Sequence, residues 1–332
     1  MSHWNDNAKS HNTRRMDAGP EAIARAAEVL AEGGLVAFPT ETVYGLGADA
    51  TSGQAVARIY EAKARPAFNP LISHLPDLVA ARVQGDFNAD ALALARAFWP
   101  GPLTLVVPVS SACQVCELAR AGLESVALRV PAHPLAQALL TAFGRPVAAP
   151  SANRSGRISP TSAEHVMAEL DGRCQLVING GPTAVGLEST IVSCLGDQPV
   201  LLRPGGLARE DIERVLKRPL AIAQADAAIH APGMLVSHYA PEAFLRLEAR
   251  AIERGEAALD FAGQLGAMAP FSAAFADLSP RGDLREAAAN LFALLRKLDA
   301  SGATRIAVAP IPDFGLGEAI NDRLRRAAAP RA

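Results

Sequence analysis

The apolar runs of this chain are short, and proline or glycine closes each of them. LVAFP (35–39), LISHL (71–75), PLTLVVPV (102–109), SVALRVP (125–131), CQLVIN (174–179), ESTIVSC (188–194) and PVLLRPG (199–205) have the length of buried strands. None approaches the roughly 20 apolar residues that carry a helix across a bilayer. Helical periodicity lies between some of them, in EAIARAAEVLAEG (21–33), GQAVARIYEAK (53–63), ADALALARAFWPG (89–101), HPLAQALLTAFG (133–144) and LAREDIERVLKRP (207–219). Elsewhere strand follows strand. That combination predicts an α/β protein with a mixed sheet rather than a regular strand–helix–strand succession.

The chain has 332 residues, enough for two domains, and is 50% hydrophobic and 20% charged, a globular balance. Residues 1–16 lack an apolar signal core and read as a flexible tail. Residues 17–218 form the larger unit, with EAIARAAEVLAEG as its first ordered element and TETVYGLGADATS (40–52) as a glycine-punctuated loop. The long segment 219–241, PLAIAQADAAIHAPGMLVSHYAP, reads as a connection of unusual length and hence of functional interest. Residues 242–332 form a smaller α/β domain. It opens with the helix-like AFLRLEARAIERG and ALDFAGQL, continues through LREAAANLFALLRKLDASG and the strand RIAVAPI, and ends in a helix around EAINDRLRRA.

A net charge of −2 argues against a strongly basic nucleic-acid module, while leaving room for a local cationic cleft. Cys113 and Cys116 form a lone CxxC, with Cys174 and Cys194 far along the chain. Zinc binding, a redox pair and incidental free thiols are the alternatives. The missing second ligand pair favours free thiols in a reducing, cytoplasmic setting.

No GxxxxGK[ST] or GxGxxG loop occurs, so phosphate recognition would need another device. Lys63 follows Ile59 by four residues and Tyr60 by three, which places a cation on the apolar side of its helix. Arg65 follows, then Pro66. The pair is either a helix C-terminal charge beside a solvated turn residue, or a clamp for phosphate or carboxylate. Thr40 and Tyr44 in PTETVYG serve either as turn and cap residues or as a polar substrate wall. Ser151 and Asn153 are two apart in APSANRSG, either turn formers or, in extended chain, groups on one side. Arg129 and Arg203 lie at strand ends beside prolines and need either an anion or an exit to water. Ser189, His238 and Tyr239 are further candidates, and His74 is as readily structural as functional. No metal-ligand cluster or tight carboxylate pair is visible.

PTETVYGLG, KARPAFNPL, FWPGPLT, ALRVP, APSANRSG, GLESTIV, LLRPG and APGMLVSHYAP occur in the order found in the Sua5/YrdC/YwlC family. The chain resembles the long, two-domain members, closely over 20–218 and more loosely beyond. The family's K-x-R and S-x-N patterns fall on Lys63, Arg65, Ser151 and Asn153. Ala64 occupies a slot where many members have glycine. The resemblance implies a YrdC-like twisted open sheet around a large concave cavity, with a Rossmann-like C-terminal domain. It implies ATP-dependent formation of threonylcarbamoyl-AMP and pyrophosphate from L-threonine and bicarbonate or CO2. Other proteins would then pass the threonylcarbamoyl group to adenosine 37 of tRNA. Mg2+ would be held mainly by the ATP phosphates.

The implied catalytic residues are Lys63, Arg65, Ser151 and Asn153, with Ser189, Arg203, His238 and Tyr239 joining them at the nucleotide. Thr40, Tyr44, His74, Arg129 and Ser189 are implied at threonine. The linker carrying His238 and Tyr239 would close over the site. Two other readings stand beside this one: a double-stranded RNA or tRNA-binding module, and an inactive nucleotide-binding regulator.

Overall fold

A computed structural model describes residues 12–65, 69–223 and 239–330. The larger unit runs β1 (Arg14–Asp17), α1 (Pro20–Ala31), β2 (Val36–Pro39), β3 (Tyr44–Asp49), α2 (Gly53–Lys63), β4 (Ile72–His74), α3 (Leu78–Gln84), α4 (Ala89–Phe98) and β5 (Leu103–Pro108). It continues through α5 (Glu117–Arg120), β6 (Ser125–Arg129), α6 (Pro134–Phe143), β7 (Val147–Ala148), α7 (Ala163–Leu170), β8 (Leu176–Asn179), β9 (Thr190–Ser193), β10 (Val200–Arg203), α8 (Arg209–Leu216) and β11 (Ala221–Ile222). Its strands join in one 11-stranded sheet, ordered β1-β8-β2-β3-β7-β4-β6-β5-β9-β10-β11. Parallel and antiparallel pairs are interleaved, as the irregular succession of strands and helices predicts.

Two expectations fail here. Arg14–Asp17 belongs to an edge strand and not to a tail: it pairs in parallel with Leu176–Asn179. RRMD has no apolar alternation to announce it. The strand is held by backbone pairing, and Arg15 meets Glu164 at 2.7 Å. The second is TETVYGLGADATS, expected as a loop, which contains the wholly buried strand β3. Its glycines have a packing reason. A Cβ on Gly47 would stand 2.7 Å from the Phe38 ring, so the residue that suggests a turn is what lets two strands lie under an aromatic.

The smaller unit is β12 (Phe244–Arg246), β13 (Ala257–Asp260), a 3-10 turn, β14 (Phe275–Asp277), α9 (Leu284–Asp299), β15 (Arg305–Val308) and α10 (Leu316–Ala328). Its four strands are all parallel, in the order β12-β15-β13-β14, a small Rossmann-like sheet. AFLRLEARAIERG, expected to be helical, instead begins with β12, and ALDFAGQL contains most of β13. In the first, Arg246 leaves its strand to pair with the buried Glu256 at 2.5 Å. In the second, three of the four strand residues are small or apolar, and all four are buried.

The two units share one apolar cluster. Val43, Ile158 and Leu187 of the larger unit pack with Leu291, Phe292 and Leu324 of the smaller. Gly186 sits at this contact with φ +74, and a Cβ there would lie 2.4 Å from the Ala288 carbonyl oxygen, on the backbone of α9. Gly186→Ala is therefore expected to destabilise the protein by about 2–4 kcal/mol, through left-handed strain and displacement of α9. Denaturant unfolding measures this; an unchanged midpoint would show that the interface yields freely.

Candidate functional site

Strand ends build the site. His74 closes β4 and Arg129 closes β6, and the parallel register sets these two residues side by side. Ser189 stands immediately before β9, and Arg203 is the last residue of the antiparallel β10. Ser151 bridges Gly45 across the middle of the sheet. These side chains, with Arg65 and Tyr239, border a hollow that encloses about 490 Å³ when the space open to solvent is counted.

Three guanidinium groups face the hollow, and they are balanced unequally. Arg129 meets Glu41 at 2.7 Å and donates to the Gly101 carbonyl at 3.3 Å. Arg203 donates to the Ser189 carbonyl at 2.8 Å and to its hydroxyl at 3.3 Å; that hydroxyl also shares a 2.7 Å bond with Thr104. Arg65 is only 8% exposed and has one long bond, 3.3 Å, to the Pro70 carbonyl. Its Nε has no hydrogen-bond partner and, among the described residues, no carboxylate pairs with it. Burial pushes its pKa down to about 10, which leaves it charged at neutral pH. A buried cation so poorly compensated is suited to meeting an anion.

Lys63 and Asn153 do not border the hollow; they hold its wall. The Lys63 ammonium donates to the Ser151 carbonyl at 2.5 Å and to the Asn153 carbonyl, which staples the end of α2 to the SAN loop. It is 1% exposed, and burial pushes its pKa well below the ordinary lysine value. The Asn153 amide donates to the Arg154 and Arg157 carbonyls at 2.8 and 2.9 Å and so braces the same loop. Ala64 caps α2 with φ 50, the left-handed conformation that glycine adopts without strain.

Thr40 and Tyr44 are likewise internal. The Thr40 hydroxyl bonds within its own turn, to Thr42 and to the Val43 carbonyl, each at 2.7 Å. The Tyr44 hydroxyl donates to the Gly181 carbonyl at 2.8 Å and accepts from Gly180 N. Thr42, which the motif reading passed over, does reach the hollow. So does Glu188, inside the quoted GLEST yet not singled out. Burial raises the Glu188 pKa, but Arg323 and Arg203, with the Ser159 hydroxyl, outweigh it and hold the carboxyl at about 2. His74 is fully neutral at physiological pH: burial first, then the nearby Arg129, takes its pKa down to about 3.

Tyr239 closes one side, stacked on Phe292 at 5.6 Å between ring centroids. His238 lies outside the described residues. Cys113, Cys116, Cys174 and Cys194 are free thiols. No group of three His, Cys, Asp or Glu side chains is placed to hold a metal among the described residues, and none of the helices there is long and apolar enough to cross a membrane.

Comparison with known proteins matches both units. A Sua5–YciO–YrdC family model, described as "Telomere recombination", covers residues 28–205, and one described as "Threonylcarbamoyl-AMP synthase, C-terminal domain" covers 207–329. The threonylcarbamoyl-AMP synthase of Bacillus subtilis is 42% identical, over 96% of each chain. That of Pyrococcus abyssi is 43% identical, over 92% of this chain and 93% of the relative. The crystal structure of P. abyssi Sua5 complexed with L-threonine superposes with a TM-score of 0.85 at 40% identity, covering 96% of this chain and 97% of that one.

Two outcomes follow from the charges. Arg65→Met should melt no lower than the parent and up to about 2 kcal/mol more stable, because a desolvated cation is removed. The same change should weaken binding of pyrophosphate, used as an anion probe, by at least about tenfold. Calorimetry and titration separate the two effects, and a large loss of stability with intact anion binding would refute the assignment. His74 predicts a pH effect. Its proton is bound by the unfolded chain near pH 6.5 but by the folded chain only near 3. Stability should therefore fall as pH drops through this window, by up to ~1.4 kcal/mol per pH unit from this group. His74→Gln should flatten that slope in urea melts.

Proposed function

The chain belongs to the Sua5/YrdC/YwlC family in its two-domain threonylcarbamoyl-AMP synthase form, and on that premise we propose that it condenses L-threonine, CO2 from bicarbonate, and ATP into threonylcarbamoyl-AMP and pyrophosphate. The observation that carries the reading is the buried, undercompensated Arg65 beside Arg203 and Ser151 in one hollow. Such a wall suits a polyanion whose charge shifts during reaction. That the P. abyssi relative is complexed with L-threonine supports threonine as one of the substrates.

In this reading the threonine amine attacks CO2 to give an N-carboxylate, which attacks the α-phosphorus of ATP as pyrophosphate leaves. No side chain of the protein forms a covalent bond to the substrate. The protein aligns the reactants and stabilises charge. Arg65 and Arg203 offset the phosphates and the developing charge, while Ser151 donates its hydroxyl at the reacting centre. Lys63 and Asn153 act at one remove, by fixing the SAN loop. Arg129, already neutralised by Glu41, and neutral His74 shape the threonine end together with Ser189, on a frame that Thr40 and Tyr44 keep rigid. The segment with His238 and Tyr239 closes the cavity against water, which would hydrolyse a mixed anhydride.

Mg2+ would enter bound to ATP. Glu188, the carboxylate bordering the hollow, has both oxygens engaged, by Arg323 and by Ser159. Mg2+ would accordingly be held mainly through the ATP phosphates, whose charge it would offset. Cytoplasmic protein partners that transfer the threonylcarbamoyl group to adenosine 37 of tRNA complete the proposed pathway.

The test is incubation of the purified protein with ATP, Mg2+, bicarbonate and threonine, with the adenylate identified by mass and pyrophosphate counted. Product that disappears when threonine is omitted is expected. ATP bound without turnover would favour a regulatory binder instead, and salt-sensitive RNA affinity without turnover an RNA module. Lys63→Ala should abolish most of the activity and also cost about 2–3 kcal/mol of stability, since it strands two carbonyls.

A further inference from the structure

We propose that Arg323, on α10 of the smaller domain, is a positioning residue for the nucleotide end of the hollow: it takes up the charge of Glu188 and binds the mouths of β9 and β10 into one wall. The proposal rests on the reading of the hollow as an ATP site.

Arg323 is 1% exposed and does not itself border the hollow. Its Nε donates to Glu188 Oε2 at 2.8 Å, and its Nη2 donates to the Pro204 carbonyl at 3.0 Å. Glu188 precedes Ser189 at the start of β9, and Pro204 follows Arg203 at the end of β10. One planar fork therefore spans the two chain segments whose next residues carry a hydroxyl and a guanidinium into the cavity. The third nitrogen, Nη1, meets Asp322 at 2.5 Å. The guanidinium also lies over the Tyr239 ring, 5.1 Å from its centroid, on a tyrosine that closes the hollow.

The charge of Glu188 explains why this matters. A carboxylate at the edge of an anion site opposes the ligand unless a cation neutralises it. Two guanidinium groups act on Glu188, those of Arg323 and Arg203. Arg323 lies outside the hollow and Arg203 borders it. With Arg323 present, Glu188 is balanced from behind the wall. Without it, Arg203 becomes the cation that must answer Glu188, and its field is drawn away from the phosphates. The residue that balances Glu188 from behind the wall thus belongs to the other domain.

The experiment compares full-length wild type, R323M, R323K and the double variant R323M/E188Q. Pyrophosphate release is measured with ATP and threonine varied separately, and melting curves are recorded for each. R323M is expected to raise the KM for ATP about tenfold, with a smaller change in the KM for threonine. Adding E188Q removes the charge that Arg323 answers, so the double variant should recover most of the ATP KM. R323K keeps the charge but loses the fork and should fall between wild type and R323M.

A double variant no better than R323M, or equal rises in both KM values, would overturn the proposal. Should R323M not fold, R323K and the double variant decide alone. A wild-type ATP KM in R323K, or an ATP KM in the double variant raised about tenfold, overturns it. An inactive wild type would instead defeat the functional reading, whereas an active wild type with normal variants defeats only this inference.

Discussion

Positive charge buried in a protein must be answered by something, and this structure is organised by how each answer is given. Lys63, Arg65, Arg129, Arg203 and Arg323 are all less than 9% exposed. Lys63 is answered by two backbone carbonyls, Arg129 by Glu41, and Arg323 by Glu188 and Asp322. Arg203 is held by the Ser189 carbonyl and hydroxyl, within the field of Glu188. Arg65 has the weakest answer of all. Among the cations of the cavity wall, compensation falls from Arg129, paired with a carboxylate, to Arg65, with one long bond to a carbonyl. Desolvation penalises every one of these cations, and only where the penalty is left standing does a ligand gain by arriving.

Much of this could be read before any coordinates. The short closed apolar runs correspond to strands, and the order of the motifs identifies the family. Lys63 on the apolar side of its helix is indeed buried, although it faces the SAN loop and not the cavity mouth. Arg323 carries the same signature: it shares a face of α10 with Ile320, Leu324 and Ala327, all buried. Reading that face as the earlier helix was read would have found it. Glycine misled in YGLGAD, because the spacing of Gly45 and Gly47 suits a turn as well as a strand beneath a ring. Tyr44 and Thr40 were harder still. Whether a hydroxyl faces a ligand or a neighbouring carbonyl depends on which distant segment lies opposite, and for Tyr44 that is the Gly180–Gly181 turn. No local pattern encodes that pairing.

The motifs also divide labour in a way their spelling conceals. Of the residues in K-x-R and S-x-N, Arg65 and Ser151 border the hollow, while Lys63 and Asn153 hold the loop between them in place. Each motif thus pairs one residue directed at the hollow with one directed at the frame. Their two-residue spacing does not mean that all four side chains converge. The left-handed Ala64 reverses the chain direction after α2, so that Lys63 and Arg65 can point to different places.

Val43, Ile158 and Leu187 complete their packing only against the smaller domain. The apolar core therefore runs across the boundary between the two sheets. Separated, each half would expose a face made for the other, and the smaller would lose part of its only core. Packing shared in this way couples the halves, so that loosening the smaller domain would also loosen the sheet from which the cavity opens.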